Sequence, residues 1–100
     1  MIRVIYRWKV KTGQERTFAR AWTRGTSTIR ATFKGAHGSV LLRSHRDPSE
    51  FIGIAQWESL ADCQAFWRSE HPDPEAFRVV SETGTFVSRE IFDELQDLED

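Results

Sequence analysis

The chain predicts an α+β domain of the ferredoxin-like βαββαβ type, with both helices on one face of a four-stranded antiparallel sheet. Three observations lead there. Residues Ile2–Val10 alternate with the period of two that a strand imposes. In the next stretch Phe18, Trp22, Ile29 and Phe33 recur at helical spacing. The remaining segments then follow as strand, strand, helix, strand, and right-handed crossovers fold that order into a split βαβ arrangement.

The first strand puts Ile2, Val4, Tyr6, Trp8 and Val10 on one face and Arg3, Ile5, Arg7 and Lys9 on the other. Its β-branched and aromatic residues suit a pleated, half-buried surface. Thr12-Gly13-Gln14-Glu15 has the spacing of a capping box, with Thr12 as cap and Glu15 reaching back. The helix runs on to Lys34-Gly35, where Gly35 suits a C-terminal cap. Ala21 and Gly25 permit close approach beside its apolar stripe, and Arg16, Arg20, Arg24 and Arg30 form its solvated face.

Strands over residues 38–44 and 51–57 come next, joined by a loop whose Asp47-Pro48-Ser49 favours a turn. Ser59 is placed to cap a second helix, with Asp62 favourable in its first turn and Leu60, Cys63, Phe66 and Trp67 as its buried stripe. His71-Pro72-Asp73-Pro74 must end that helix. A short helical turn over residues 75–80 follows, with Phe77 and Val80 turned inward, and then a last strand over residues 84–92. The folded domain is expected over residues 1–92. Residues 93–100 form an acidic C-terminal tail with Asp93, Glu94, Asp97, Glu99 and Asp100.

Fourteen basic and fifteen acidic residues leave a formal charge of −1, which gives no global attraction to nucleic acid or to an anionic membrane. No apolar run approaches the ~20 residues of a membrane span. Cys63 is the only cysteine, so no internal disulfide forms and a cytoplasmic, reducing setting is expected. A chain of 100 residues buries only roughly 60–70% of its unfolded surface, so a partner would help. The second face of the sheet suggests one. It is expected to carry Ile5, Leu41, Ile52, Ile54 and Val87 or Phe86, too much clustered apolar surface for a monomer. A homodimer meeting sheet to sheet would cover it. Arg3, Arg7 and Arg43 on that face would need either a solvated rim or the acidic tail of the other subunit.

The run Arg7-Trp8-Lys9-Val10-Lys11-Thr12-Gly13-Gln14-Glu15 with Phe18 and Trp22 resembles the opening of antibiotic biosynthesis monooxygenase (ABM) domains. So do Gly38-Ser39-Val40-Leu41-Leu42-Arg43, the Asp47-Pro48 turn, and Gln56-Trp57-Glu58-Ser59 entering a helix with Phe66-Trp67. The resemblance covers residues 2–92. It implies a dimeric α/β barrel with a pocket in each subunit between sheet and helices. It also implies a cofactor-independent monooxygenase or oxidase acting on a small aromatic, phenolic or quinol-type substrate, without metal or flavin. The rival readings are a non-catalytic dimeric module that binds a hydrophobic small molecule, and a dimerisation unit with a filled core. The haem-degrading branch of the family uses an asparagine, a tryptophan and a histidine. Here the asparagine position falls on Tyr6 and the histidine position near Ala76, so that chemistry is not expected.

Such an oxygenase needs a pocket that excludes water, and groups that deprotonate and hold the substrate. Tyr6, Trp8, Trp22, Phe66, Trp67 and Phe77 are the candidate lining, although aromatics at these spacings also serve as plain core. His71 is the candidate general base; a loop histidine satisfying helix carbonyls is the simpler account. Arg43 is a candidate to stabilise a phenolate; His37, just before the second strand, is a weaker candidate base than His71, and His45 in the hairpin reads as surface. The three histidines show no paired ligand spacing, so no metal is expected. Phosphate loops and nucleophile motifs are absent, and Cys63 reads as a small buried hydrophobe.

Overall fold

Strand β1 (Ile2–Val10) lies at the centre of the sheet, and its inward residues Ile2, Val4, Trp8 and Val10 are buried, as their alternation demands. The computed structural model describes residues 1–98. After β1 come helix α1 (Glu15–Thr32), strands β2 (Ala36–Arg43) and β3 (Glu50–Trp57), helices α2 (Leu60–Trp67) and α3 (Pro74–Thr83), and strand β4 (Gly84–Asp93). The sheet has the order β2-β3-β1-β4 with every neighbour antiparallel. This is the expected ferredoxin-like α+β fold.

Four details differ from expectation. Gln14, not Thr12, stands at the start of α1, and no side chain caps it. The Gln14 N–H bonds the Lys11 carbonyl at 2.9 Å around Gly13, whose φ is +86°, so Thr12 is spent inside a turn. At the other end α1 stops at Thr32 with Phe33 as its cap, and Gly35 (φ +81°) turns the chain into β2. The short turn expected after residue 74 is a full ten-residue helix. Its start is fixed by Pro74 and by Asp73, whose Oδ1 accepts from the Ala76 N–H at 3.2 Å. Ser59 caps α2 as expected, accepting from the Asp62 N–H at 3.1 Å, but Leu60 is exposed.

The core lies between sheet and helices in two clusters. Ile2, Val4, Trp57 and Cys63 form one, with Phe33 and Phe66 packed on it. Trp8, Val10, Phe18 and Phe51 form the other, through edge-to-face contacts of Phe18 with Trp8 and Phe51.

The strand register defines the uncovered face. Ile5 lies opposite Ile54, Arg7 opposite Ile52, and on the other side Ile54 meets Val40 and Ile52 meets Leu42. That face therefore carries Val40 and Leu42, whereas Leu41 faces Gly53 and packs in the core. Phe86 pairs with Trp8 on the inner side, and a bulge leaves Val87 as the extra residue of β4. Arg43 is also inner, its guanidinium 5.9 Å from the Phe51 ring centre and its Nε bonded to the Pro48 carbonyl. The arginines of the uncovered face find partners within the chain: Arg3 bonds Glu94 at 3.0 Å and lies 3.7 Å from Asp97, and Arg7 meets Glu90. Asp93 belongs to β4, and Glu94 closes onto the Met1 carbonyl. Glu99 and Asp100 of the expected tail lie outside the described residues.

Candidate functional site

A cavity of about 870 Å³ opens between the inner face of the sheet and the three helices, within the roughly 300–1,000 Å³ usual for small-molecule sites. All seven residues singled out from the sequence (Tyr6, Trp8, Trp22, Phe66, Trp67, His71 and Phe77) lie on its wall. Their shares differ. Trp8 is almost wholly committed to the core, stacked on Tyr6 with ring centres 5.7 Å apart. Phe66 is wedged against Trp57 and Phe33. Phe77, expected to turn inward, is 55% exposed and stands at the rim with Phe86.

The floor depends on Gly53. The rings of Trp8 and Trp22 approach so closely that a Cβ there would sit 3.0 and 3.1 Å from them. Above the floor, the Trp67 indole Nε1–H donates to the Tyr6 hydroxyl at 3.0 Å, tying α2 to β1. Burial holds the Tyr6 phenol above its ordinary value, against the opposing pull of that hydrogen bond. Its own O–H has no acceptor among the described residues and remains available to the cavity.

Arg89 is the residue that sequence reasoning missed. It lies opposite Tyr6 across the β1–β4 ladder, with its guanidinium carbon 3.7 Å from the centre of the Trp67 ring, a cation–π contact. Arg89, Trp67 and Tyr6 thus form one continuous wall. No acidic side chain among the described residues pairs with Arg89 or with Arg30, which also lines the cavity.

His71 sits in the loop between α2 and α3, packed between the rings of Phe66 and Phe77. Gly25 of α1 faces the ring: a Cβ at that position would meet the imidazole Cε1 at 3.4 Å, an ordinary contact distance. The backbone N–H of Asp73 donates to Nδ1 at 3.0 Å. Nδ1 is therefore the acceptor, and in the neutral ring the proton is on Nε2. Asp73 is itself held by a two-pronged bond from Arg24, at 2.7 and 3.0 Å. Burial lowers the His71 pKa, partly offset by the nearby Asp73 carboxylate.

The other candidates stand apart. His37 touches the cavity edge but is bound to Glu58 at 2.7 Å, and His45 is exposed in the β2–β3 loop. Arg43 does not line the cavity. Cys63 is fully buried, its thiol pushed up to about 11 by desolvation. Among the described residues no group of three or more His, Cys, Asp or Glu converges to hold a metal ion.

A four-stranded antiparallel sheet with an aromatic-lined cavity beneath its helices defines a ferredoxin-like α+β protein. The chain belongs to the antibiotic biosynthesis monooxygenase family, whose model matches residues 1–72. Solved structures share the fold over nearly the whole chain. SnoaB, a cofactor-independent oxygenase from Streptomyces nogalater, is 19% identical with a TM-score of 0.80, covering 99% of this chain and 97% of its own. A putative antibiotic biosynthesis monooxygenase from Bordetella bronchiseptica is 22% identical with a TM-score of 0.75, covering 97% of each chain. One from Deinococcus radiodurans is 9% identical with a TM-score of 0.78, covering 100% of this chain and 98% of its own. No curated protein matches the chain. No helix among the described residues is long and apolar enough to cross a membrane.

Proposed function

We propose that this protein is a cofactor-independent monooxygenase that oxidises a small phenolic or quinol-type aromatic in the cavity between sheet and helices. The observation that carries the proposal is the wall itself. Stacked and T-packed aromatics line the cavity, and three donors (the Tyr6 O–H, the His71 Nε2–H and the Arg89 guanidinium) belong to residues of its wall. In such chemistry the ionised substrate gives an electron to dioxygen, and the two radicals combine as a hydroperoxide. Loss of water then converts a ring CH₂ and one O₂ into a carbonyl and one H₂O. The protein's task is to hold the anion, exclude bulk water and stabilise charge on the substrate oxygens.

His71 suits this scheme as a donor better than as a base, because its Nδ1 lone pair is already taken by the Asp73 amide. Oxygen uptake above the protein-free rate with anthrones, quinols or hydroxynaphthoquinones would support the proposal. Tight binding of these compounds with no uptake would favour the second reading, a non-catalytic binding module. The carboxylate-free lining gives that reading its support, since it offers no obvious base.

A homodimer through the uncovered sheet face and a cytoplasmic setting belong to the same proposal. Supporting the dimer, Ile5, Ile52 and Ile54 are half-buried on that face, and Val40, Leu42 and Phe92 are 46–47% exposed beside them. Light scattering at micromolar concentration should return about twice the 11.6 kDa chain mass.

A further inference from the structure

The charged groups on the cavity wall are all of one sign. Arg89 lies over the Trp67 ring and Arg30 stands on α1, both exposed to solvent, and no Asp or Glu lines the cavity among the described residues. Tyr6 and His71 add donors to the wall, while His37 and Gln56 are engaged with Glu58 and Glu94. Tyr6 accepts from Trp67, which leaves its O–H pointing outward from that bond, and His71 accepts at Nδ1, which leaves Nε2–H. Nε2 has no partner among the described residues, yet no buried side-chain nitrogen or oxygen there is left unsatisfied, so Nε2 is accessible on a residue that lines the cavity. The serine and threonine hydroxyls on the wall can donate or accept and do not decide the sign.

We infer that the cavity selects its aromatic ligand as an anion, with Arg89 as counter-charge and His71 as a fixed Nε2–H donor, so that a phenolate or hydroxyquinone anion is preferred over a neutral ring of the same shape. An anion entering an apolar slot is costly unless charge and hydrogen bonds meet it, and this wall supplies both. A neutral ligand leaves three donors without charged acceptors and has no carboxylate to take its own O–H. The Arg24–Asp73 pair, remote from the ligand, keeps His71 in its donor tautomer; these two are positioning residues. The inference rests on the cavity being the ligand site but not on oxygen chemistry.

The test is calorimetric titration of the whole chain at pH 7 with two probes of matched shape. These are 2-hydroxy-1,4-naphthoquinone, ionised at that pH, and 2-methyl-1,4-naphthoquinone, which carries no charge. The expected result is about tenfold or greater preference for the hydroxyquinone, the scale of one charged hydrogen bond. Arg89→Met, checked for folding by circular dichroism, should bring the two affinities within about twofold of each other. His71→Phe should weaken the anion more than His71→Gln, whose amide restores a donor. Equal affinity of the wild type for both probes, or preference for the methylquinone, overturns the inference, and that comparison needs no variant. A preference that survives Arg89→Met also overturns it, as does failure to bind either probe. Anion-selective binding without oxygen uptake would uphold it while removing the oxygenase.

Discussion

The backbone N–H of Asp73 meets Nδ1 of His71 at 3.0 Å, so a loop that begins a helix also sets the tautomer of the histidine on the cavity wall. Burial favours the neutral ring and holds its pKa below the ordinary 6.5. The unfolded chain therefore takes up the proton first as pH falls. Stability from this preference is complete above about pH 6.5 and declines below it. Thermal unfolding of wild type should lose ground between pH 7.5 and 5.5, and His71→Gln should flatten the curve in that window. Parallel curves for the two proteins would contradict the assignment.

Asp73 holds α3 and His71 together, and its removal should be felt in stability as well as at the site. Asp73→Ala loses the cap on Ala76 and should cost about 0.5–2 kcal/mol in urea unfolding. Arg24→Met should cost less, because the Arg24 side chain is 62% exposed and water screens its pair. The reverse order would place the Arg24 contact, not the cap, at the centre of this loop.

Two glycines should respond to alanine with opposite signs. At Gly84 a Cβ would stand 2.8 Å from the Phe18 ring, which is fully buried and cannot yield, so Gly84→Ala should destabilise by about 1–3 kcal/mol. At Gly25, inside α1, the nearest atoms are 3.4 Å away. Gly25→Ala should gain about 0.5–1 kcal/mol of helix stability with His71 kept in place. Denaturant midpoints of the two variants on either side of wild type are the check.

How much was legible in the sequence depended on whether side chains alternate. In β1 they do, and its inner face, including Tyr6 and Trp8, followed directly. In β2, Val40-Leu41-Leu42 is apolar throughout, so the period of two picks no face, and the pairing with β3 decided it. In β4 the bulge at Val87 reverses the phase: Phe86 faces inward before it, and Arg89 and Ile91, opposite Tyr6 and Val4, face inward after it. Simple alternation from Phe86 sends Arg89 outward, which is why the cation of the site stayed hidden. His71 was visible as a polar residue at a helix break. Its role was not, because the tautomer is set by a backbone amide that sequence does not place.

The alkaline limb of stability has its own source. Burial pushes the Cys63 thiol from 9.0 up to about 11 and raises the Tyr6 phenol as well. Both protonated forms are favoured in the folded state, so their contribution is intact below about pH 9 and is lost as pH climbs toward 11. Cys63→Ala should show a shallower loss than wild type over that window in thermal unfolding. An unchanged slope would mean that the thiol is not sealed in the core.

The central claim is oxygen chemistry without an added cofactor, and isotope labelling tests it most directly. The purified chain, given 1,8-dihydroxyanthrone under ¹⁸O₂ with no metal or flavin added, should form the anthraquinone faster than buffer does. That product should carry one ¹⁸O atom, the second leaving as water, and Arg89→Met should slow its formation. Product formation no faster than in buffer, with the ligand demonstrably bound, would contradict the account and leave the protein a binding module.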